Sequence, residues 1–272
     1  MLEYLKALLF GIIEGITEWL PVASTGHLIL LEEVLHLNVS EAFYELFQVV
    51  IQLGAIFAVL LLFFQKLWPF SHIKSEKERK DTWTLWFKVI VAVLPSAVLG
   101  LLFDDFLDAH LYNHVVVALM LMVYGVAFLL VERKAKGCKI SDVHAIDYRT
   151  ALLIGVFQCL SLIPGTSRSG ATILGALMLG VSRSAGAEFS FFLAIPTMLG
   201  ASGLKLVKFL LEGNFPTQNE LLILLIGCVS AFFVSILVIR ALMDFVRKHS
   251  FAPFGIYRIV LGAVVLGWFL LR

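Results

Sequence analysis

The sequence predicts an all-α integral membrane protein, and its composition, its low charge and its hydrophobic segments all support that class. Apolar residues make up 60% of the 272 residues, and charged residues only 15%. A soluble chain of this size could not bury so much apolar surface, since soluble domains average about 45–50% apolar residues. The formal net charge of +1 indicates no nucleic-acid partner, and three scattered cysteines indicate neither a zinc site nor a disulfide framework.

Six segments are long and apolar enough to cross a bilayer, which requires about 20 residues. The predicted spans are 43–64, 84–103, 114–131, 188–208, 220–240 and 254–271. The stretches 3–34 and 149–181 are too short for two spans, and each has a proline and small polar residues near its middle. We predict that each forms a re-entrant helix hairpin. Irregular backbone at that depth must line a cavity or be covered by protein, so a cavity near the bilayer centre is expected.

The two halves of the chain resemble each other at a nearly constant offset. The segment ALLFG at 7–11 matches ALLIG at 151–155, and Pro21 matches Pro164. Because each half would contain three crossings, an odd number, the second copy is predicted to be inverted, as in many secondary transporters. The predicted organisation is a single membrane domain, 1–272, with a first repeat 1–131 and a second, inverted repeat 149–272.

Loop charges predict the orientation in the membrane. The loops 65–83 and 132–149 each hold five Lys or Arg residues, whereas the loops 35–42, 104–113 and 209–219 hold none. By the positive-inside rule the first two are cytoplasmic and the other three external. Both termini and the entry of the first hairpin are then extracytoplasmic.

Glu14 and Glu18 are four residues apart in the first hairpin and therefore share one helix face. A charge at the centre of a membrane helix costs about 2.5–3.5 kcal/mol on insertion scales. Either this helix lies at the surface and its glutamates face water, or the pair binds a divalent cation, Mg²⁺ or Ca²⁺, or works as acid and base. Oxygen ligands are those that such hard cations prefer.

A short polar segment follows these glutamates in the turn of the first hairpin, which we call the first tip; the turn of the second hairpin is the second tip. The segment consists of Ser24, Thr25, Gly26 and His27. Serine or threonine ahead of an apolar run is expected to cap a helix. A cap does not explain a histidine inside the membrane, where ionisable groups are functional candidates by default. A serine beside a histidine also provides the components of an activated nucleophile.

The second tip combines flexible turn residues with a cation. Its residues are Gly165, Thr166, Ser167, Arg168, Ser169 and Gly170. The backbone N–H groups that open the following helix suit an anion, and the planar guanidinium of Arg168 suits phosphate oxygens. Alternatively Arg168 snorkels or pairs with a glutamate, and such a pair would still join the two tips. Glu45, Gln48 and Gln52 form a polar stripe that is expected to face the same cavity.

Together the tips contain the groups that phosphoryl transfer requires: carboxylates, a hydroxyl, a histidine and an anion clamp. A cavity open to lipid indicates a substrate with a hydrocarbon chain. The alternative is a transporter or flippase of an anionic lipid or solute built on the same inverted repeat. The paired carboxylates favour an enzyme over a transporter, because negatively charged groups would not help to bind an anion.

The same residues resemble a known family. EGITEWLPVASTGH at 14–27 resembles the ExxxE and PxSSTGH elements of the undecaprenyl-diphosphate phosphatase family, the bacitracin-resistance proteins, and PGTSRSGAT at 164–172 resembles its PGxSRSGAT element. The segments 48–54 and 188–191 are similar to further family stretches, so the resemblance covers essentially the whole chain. Ala23 departs from the family, which usually has serine there, and Ser24 is thus the only serine in the first tip.

The resemblance implies hydrolysis of undecaprenyl diphosphate to undecaprenyl phosphate and inorganic phosphate, which recycles the lipid carrier of cell-wall synthesis. It implies a multi-pass protein of the bacterial inner (cytoplasmic) membrane, a divalent-cation requirement and bacitracin resistance when the protein is abundant. Glu14 and Glu18 would hold the metal and assist acid/base chemistry, while Arg168 and the 165–170 backbone clamp the diphosphate. Thr25, Gly26, Gln48 and Gln52 are further predicted substrate contacts. Ser24, His27 and water remain alternatives for the attacking group, and a homodimer is left open.

Overall fold

The chain folds into helices joined by turns and loops, and the computed structural model describes residues 1–111, 113–134 and 137–270, with the backbone alone for 104–109. The helices of the first half are α1 (Leu2–Thr17), α2 (Ser24–Leu35), α3 (Glu41–Leu62), α4 (Phe64–Leu67), α5 (Glu76–Leu111) and α6 (His114–Lys134). The second half contains α7 (Tyr148–Cys159), α8 (Arg168–Met178), α9 (Arg183–Leu211), α10 (Gln218–Lys248) and α11 (Ala252–Leu270). Within the described residues, β-pairing is confined to one isolated bridge, Ile140 with Val181.

Six of these helices, α3, α5, α6, α9, α10 and α11, are long and apolar enough to cross a membrane. This result confirms the prediction of an all-helical membrane protein with six candidate spans. Their outward faces carry many exposed leucines, valines and phenylalanines, as expected of surfaces that contact lipid. The boundaries of α3, α6 and α11 agree with the prediction to within three residues, whereas α9 begins five residues earlier and α10 ends eight residues later than predicted. Helix α5 differs from its predicted span at both ends.

Helix α5 is longer at both ends than the predicted span 84–103. It begins at Glu76 because a capping box precedes it: the Ser75 hydroxyl oxygen accepts the Glu78 N–H at 3.3 Å, and the Glu78 carboxylate accepts the Ser75 N–H at 2.7 Å. Such a reciprocal pair satisfies two donors that a helix start leaves free. The helix then runs to Leu111, so the prediction of a loop from residue 104 is wrong. The side chains of 104–109 and all of Tyr112 lie outside the described residues.

Each interrupted apolar stretch consists of two short helices joined by an irregular turn. The stretch 3–34 contains α1 and α2, of 16 and 12 residues, and the stretch 149–181 contains α7 and α8, of 12 and 11 residues. None of the four reaches the roughly 20 residues that a span requires. The breaks that the proline-containing segments predicted are therefore present. Re-entry on one side of a membrane stays a prediction.

Glycines let the first helix of each stretch pack directly on a long helix of the other half. A Cβ on Gly11 of α1 would overlap the Gly227 carbonyl oxygen of α10, and a Cβ on Gly155 of α7 would overlap the Ala92 carbonyl oxygen of α5. Small residues permit this backbone approach, which is the usual way that helices associate in membranes. The two crossings hold α1 and α7 rigidly and so determine where their ends, the two tips, are placed.

A buried carboxylate joins three helix ends on the side of the basic loops. Glu132, near the end of α6, accepts hydrogen bonds from the Arg183 guanidinium, with Nε at 3.0 Å, and from the Phe251 N–H at 2.7 Å. Arg183 is the first residue of α9, and Phe251 immediately precedes α11. The Glu132 side chain is only 4% exposed, so water cannot replace these partners.

We expect Glu132→Ala to lower the melting temperature, because it leaves a guanidinium and a backbone N–H without their acceptor. Hydrogen bonds to charged groups contribute roughly 1.5–3 kcal/mol each, so a loss of about 2 kcal/mol is expected. Thermal unfolding of the purified protein in detergent measures it. Glu76→Ala is the control, because the Glu76–Lys80 pair is solvent-exposed. Equal melting temperatures for the two variants would contradict a structural role for Glu132.

Candidate active site

The first tip begins with two glutamates at the end of α1. Although α1 ends at Thr17, Glu18 keeps helical backbone angles, and its N–H donates to the Glu14 carbonyl oxygen at 3.0 Å. The two carboxylates therefore lie one turn apart on the same face, as predicted. Glu14 is fully buried and Glu18 is 6% exposed. The alternative in which this helix lies at the surface with its glutamates in water is thus not what the structure shows.

The turn of the first tip leaves the Ser24 hydroxyl available for another partner. Ala23 precedes α2 with φ of +65°, a conformation that few residues with a side chain adopt, and no side chain caps the helix. Capping by Ser24 or Thr25 was therefore a wrong prediction. Ser24 is instead the first residue of α2, and its hydroxyl donates to Glu18 Oε2 at 3.0 Å.

The second tip is a tighter turn that does cap its helix. Gly165 has φ of +85°, and a Cβ there would lie 2.5 Å from the Val117 carbonyl oxygen of α6, so both conformation and space require glycine. Ser167 follows with φ of +74°, and its hydroxyl oxygen accepts the Gly170 N–H at 3.1 Å. Gly165 and Ser167, predicted as substrate contacts, thus have clear structural roles in shaping the tip.

Arg168 joins the second tip to the first. Its Nη2 donates to Glu18 Oε1 at 2.9 Å, and its Nη1 donates to the Ser190 carbonyl oxygen of α9 at 2.7 Å. This is the alternative in which Arg168 pairs with a glutamate, and it brings together residues 150 positions apart. Glu18 therefore contacts the hydroxyl of Ser24 with one oxygen and the guanidinium of Arg168 with the other.

Two further contacts hold the tips against each other. The Ser169 hydroxyl lies 3.0 Å from the Glu18 carbonyl oxygen and 3.1 Å from that of Leu20, both of which can accept its proton. The Arg168 guanidinium lies over the fully buried Trp19 ring, 5.9 Å from its centroid. A cation over an aromatic face is stabilised most where water is excluded, so the ring helps to hold the charge of Arg168 in place.

Glu14 differs from Glu18 because its carboxylate has no partner. Both of its side-chain oxygens are buried, and neither forms a hydrogen bond within the described part of the chain. A buried, unpaired carboxylate is costly unless it is protonated or binds a cation. Among the described residues, no group of three or more His, Cys, Asp or Glu side chains could surround a metal ion. The carboxylates that could bind a cation at the first tip are thus those of Glu14 and Glu18.

His27 faces away from the Ser24 hydroxyl. Its Nδ1 lies 2.8 Å from the Ala23 carbonyl oxygen, which can only accept, so this nitrogen carries the proton. Nε2 then accepts from the Tyr257 hydroxyl of α11 at 2.7 Å, and the two rings stack. Ser24 and His27 are close in sequence, but these two described side chains form no hydrogen bond with each other. The group that contacts the Ser24 hydroxyl is Glu18.

The polar stripe on α3 is only partly connected to other groups. Glu45 pairs with Lys205 of α9 at 2.6 Å and is half-exposed. Gln48 and Gln52 are half-buried and make no side-chain hydrogen bond within the residues described. Among the described residues, no hydrogen bond joins this stripe to the tips, and its orientation toward their cavity stays a prediction.

Two other predicted substrate contacts border the first tip. Gly26 is buried, and a Cβ there would lie 3.3 Å from the Leu121 side chain of α6, whereas Thr25 is half-buried. In the second tip, the Thr166 hydroxyl is buried and has no partner among the described residues. These positions line the turns, and their contact with a substrate stays a prediction.

The structure adds site residues that the sequence reasoning did not single out. Arg258 of α11 is fully buried and donates to the carbonyl oxygens of both tips. Thr172 and Ser190 share a hydroxyl–hydroxyl hydrogen bond of 2.7 Å beside Arg168. A lone arginine within the predicted span 254–271, at its fifth residue, was a signal that could have identified Arg258, because ionisable residues inside spans are functional candidates.

A cavity of about 840 Å³ opens on the side of the basic loops, between α3, α9 and α10. Its polar lining includes Lys66 and Glu188, which form an ion pair of 2.6 Å, and Arg247. None of its lining residues belongs to either tip. The cavity predicted near the bilayer centre stays a prediction.

Comparisons with known proteins identify the family of the chain. The family model of the bacitracin resistance protein BacA matches residues 7–264. An Enterococcus faecalis (strain ATCC 700802 / V583) protein named undecaprenyl-diphosphatase is 55% identical over 267 residues, 97% of each chain. Undecaprenyl-diphosphatase 1 of Clostridioides difficile (strain 630) is 56% identical over 271 residues, 100% of this chain and 98% of that one. A Streptococcus thermophilus (strain ATCC BAA-250 / LMG 18311) undecaprenyl-diphosphatase is 54% identical over 268 residues, 98% of this chain and 93% of its own. With both tips inside the matched region, the chain belongs to the bacitracin resistance protein BacA family.

Proposed function

We propose that this protein is a membrane phosphatase that hydrolyses undecaprenyl diphosphate to undecaprenyl phosphate and inorganic phosphate. The observation that carries the proposal is the position of Glu18, which contacts a hydroxyl of its own tip and the guanidinium of the other tip. A carboxylate, a hydroxyl and a guanidinium are the groups that phosphoryl transfer needs in one place. Curated relatives named undecaprenyl-diphosphatase match almost the whole chain, which supplies the substrate class.

Release of inorganic phosphate by the purified protein tests this function directly. We expect one phosphate for each undecaprenyl diphosphate consumed, with undecaprenyl phosphate as the lipid product. The rival function, transport of an anionic lipid or solute, predicts movement of the lipid between leaflets of liposomes without phosphate release. The contact between Glu18 and Ser24 favours hydrolysis, since transport of an anion needs no base beside a hydroxyl.

In the proposed reaction Ser24 attacks the terminal phosphorus of the diphosphate. Its proton passes to Glu18, whose Oε2 lies 3.0 Å from the hydroxyl oxygen, within the range that general base catalysis requires. The bond between the terminal phosphorus and the bridging oxygen breaks, and undecaprenyl phosphate leaves. Water then hydrolyses the phosphoserine, releases inorganic phosphate and restores the Ser24 hydroxyl.

Arg168 provides the anion clamp in this scheme. Its Nη1 is held by the Ser190 carbonyl, so the planar guanidinium keeps one orientation when a phosphate oxygen replaces Glu18 at Nη2. The N–H groups of Arg168 and Ser169 open α8 at the same tip, the Gly170 N–H being bound by Ser167, and helix N-termini favour anions. Negative charge that develops on the terminal phosphate is thus met by donors already in position.

Glu14 and Glu18 are the residues that would hold a divalent cation, Mg²⁺ or Ca²⁺. The unpartnered, buried oxygens of Glu14 fit a cation ligand, and two carboxylates together with substrate phosphates are a usual set for Mg²⁺. When bound, such an ion would neutralise charge on the phosphate oxygens. The measurement is phosphate release after treatment with EDTA and re-addition of each metal. Activity that resists complete chelation would contradict the assignment.

The identity of the attacking group is tested by trapping the intermediate. We expect acid quenching during turnover to yield an acid-stable phosphoserine, because Ser24 contacts a base. Ser24→Ala should lose turnover far more than binding, whereas His27→Gln should retain slow turnover, because His27 contacts Tyr257 and not Ser24.

An acid-labile, base-stable adduct would assign the attack to His27 instead. The absence of any adduct, together with appreciable activity in Ser24→Ala, would assign it to water.

The proposal includes an inverted repeat, which three matched features support. Ala23 and Ser167, 144 positions apart, both precede the second helix of their hairpin with positive φ. A capping box opens α10 at Thr217–Glu220, as one opens α5 at Ser75–Glu78. The first helix of each hairpin packs through a glycine on a long helix of the other half: α1 through Gly11 on α10, and α7 through Gly155 on α5. Such an exchange of partners is expected when two copies are related by a pseudo-two-fold axis.

The proposed orientation places the basic loops in the cytoplasm and both termini outside. The test uses single cysteines at two exposed positions, Asn38→Cys and Lys77→Cys, after removal of the native cysteines. An impermeant maleimide added to intact spheroplasts should label position 38 and not position 77, which becomes reactive only on permeabilisation. The reverse pattern would overturn the orientation.

A further inference from the structure

Arg258 is a fully buried arginine whose partners are carbonyl oxygens. It lies in α11, is 0% exposed, and is paired with no carboxylate in the part of the chain that the structure describes. The guanidinium also lies 5.4 Å from the centre of the Tyr124 ring. A buried charge is tolerated only when its hydrogen-bond donors are satisfied, and Arg258 satisfies them with the main chain of three different segments.

Its two terminal nitrogens bind the turns of the two tips. Nη1 donates to the Pro21 carbonyl oxygen at 3.1 Å, and Nη2 donates to the carbonyl oxygens of Gly165 and Thr166, both at 2.9 Å. Pro21 matches Pro164 in the repeat, and Gly165 directly follows Pro164. One guanidinium therefore links the corresponding turns of the two repeats.

The rest of the side chain is attached to a rigid helix pair. Nε donates to the Leu121 carbonyl oxygen of α6 at 3.4 Å. On either side of this contact the backbones of α6 and α11 approach closely: Gly255 against the Gly125 carbonyl oxygen, and Gly262 against that of Ala118. Because these glycines have no Cβ atoms, the two helix backbones can pack directly against each other. Arg258 thus connects the tips to a closely packed helix crossing.

We propose that Arg258 is a positioning residue, which sets the distance between the turn that carries Ser24 and the turn that carries Arg168. Within the described residues its hydrogen bonds go to main-chain oxygens, and it acts through the side chains that the two turns present. This inference rests on the proposed phosphatase function for its kinetic consequence, but the placement of the turns can be measured without any substrate. Holding both turns requires an arginine, because the planar guanidinium donates to acceptors on two sides at once, whereas a lysine ammonium is a compact point charge.

The test compares Arg258→Lys with Ile259→Ala. Lysine keeps the charge and can reach one turn, so we expect kcat to fall about 100-fold, the cost of a displacement of about 1 Å at a reacting centre. KM should change less than about 3-fold, because the groups that bind the diphosphate remain. Ile259 is the neighbouring residue and packs on Gly125 of α6, so its truncation weakens the same crossing without touching a tip. Its kcat should stay within about 2-fold of wild type.

A second readout, amide hydrogen exchange followed by mass spectrometry, does not depend on activity. In Arg258→Lys we expect faster exchange in the peptides covering 18–27 and 163–170, and unchanged exchange in both for Ile259→Ala. Wild-type kcat in the lysine variant would overturn the proposal, as would a loss of kcat with unchanged exchange in both tips. If the wild-type protein released no phosphate, the proposed function would fail, and the exchange data alone would still decide whether Arg258 positions the tips.

Discussion

Glu18→Gln should reduce phosphate release by about 10³-fold, within the range that general acid–base groups contribute. Glutamine keeps the shape of the side chain and can still accept a hydrogen bond from Arg168. It cannot take the Ser24 proton, and it is a poor ligand for a hard cation. The loss should therefore appear in kcat for the folded variant. Steady-state phosphate release, measured per molecule that elutes as the native species, provides this number.

The matched control is Glu45→Gln. Glu45 is also a glutamate in an ion pair within a helix, but its partner is Lys205 and its side chain is half-exposed. We expect its activity to remain within about 2-fold of wild type, because exposed pairs contribute little. If Glu18→Gln turned over at the wild-type rate while still requiring metal, Glu18 would be neither base nor ligand.

Arg168→Lys should lose about 10²–10³-fold in kcat/KM, the cost of removing a donor aimed at developing negative charge. In the structure the guanidinium donates in two directions, to the Ser190 carbonyl oxygen at 2.7 Å and to Glu18 at 2.9 Å. A lysine ammonium cannot hold the first contact and present a planar pair of donors to a phosphate. Kinetics at saturating and limiting substrate should show both a raised KM and a lowered kcat.

Arg183→Lys is the control for this second substitution. Arg183 also pairs with a buried carboxylate, that of Glu132, but it lies at the start of α9, on the side of the basic loops. Its activity per folded molecule should be unchanged even if its melting temperature falls. Nearly full activity in Arg168→Lys would reduce the role of Arg168 to that of a charge, and the anion clamp would have to be sought elsewhere.

Much of the site could be predicted because polar residues are conspicuous in an apolar chain. Glu18, Ser24 and Arg168 lie in two interrupted stretches where a charge or hydroxyl is costly, and the structure brings these three side chains together. The i, i+4 spacing also placed Glu14 and Glu18 on one face correctly. These inferences depend on local sequence and on helix periodicity, which do not require knowledge of the packing.

The sequence was a poorer guide to which groups these side chains would bind. His27 is three residues from Ser24, yet its nitrogens bind the Ala23 carbonyl and Tyr257, which is 230 positions away. The stripe at Glu45 was expected to face the same cavity as the tips, which stays a prediction, and the sequence did not indicate that Glu45 pairs with Lys205. Spacing along one helix cannot decide which neighbouring helix each face will meet, because that choice depends on where every other helix packs.

The membrane class, the six candidate spans and the two breaks could be predicted from the sequence, because burial of apolar residues and helix length are properties of each segment. The sequence also identified Glu18 as a residue whose burial would be costly, but not Arg258. The way in which that cost is met follows from the packing: Ser24 and Arg168 bind Glu18, and the carbonyl oxygens of both turns bind Arg258. The reason is that a buried polar group is stabilised by whichever partner the packing brings within about 3 Å. Such a partner can be distant in sequence, as for Glu18 with Arg168, 150 positions apart, and Arg258 with Pro21, 237 positions apart.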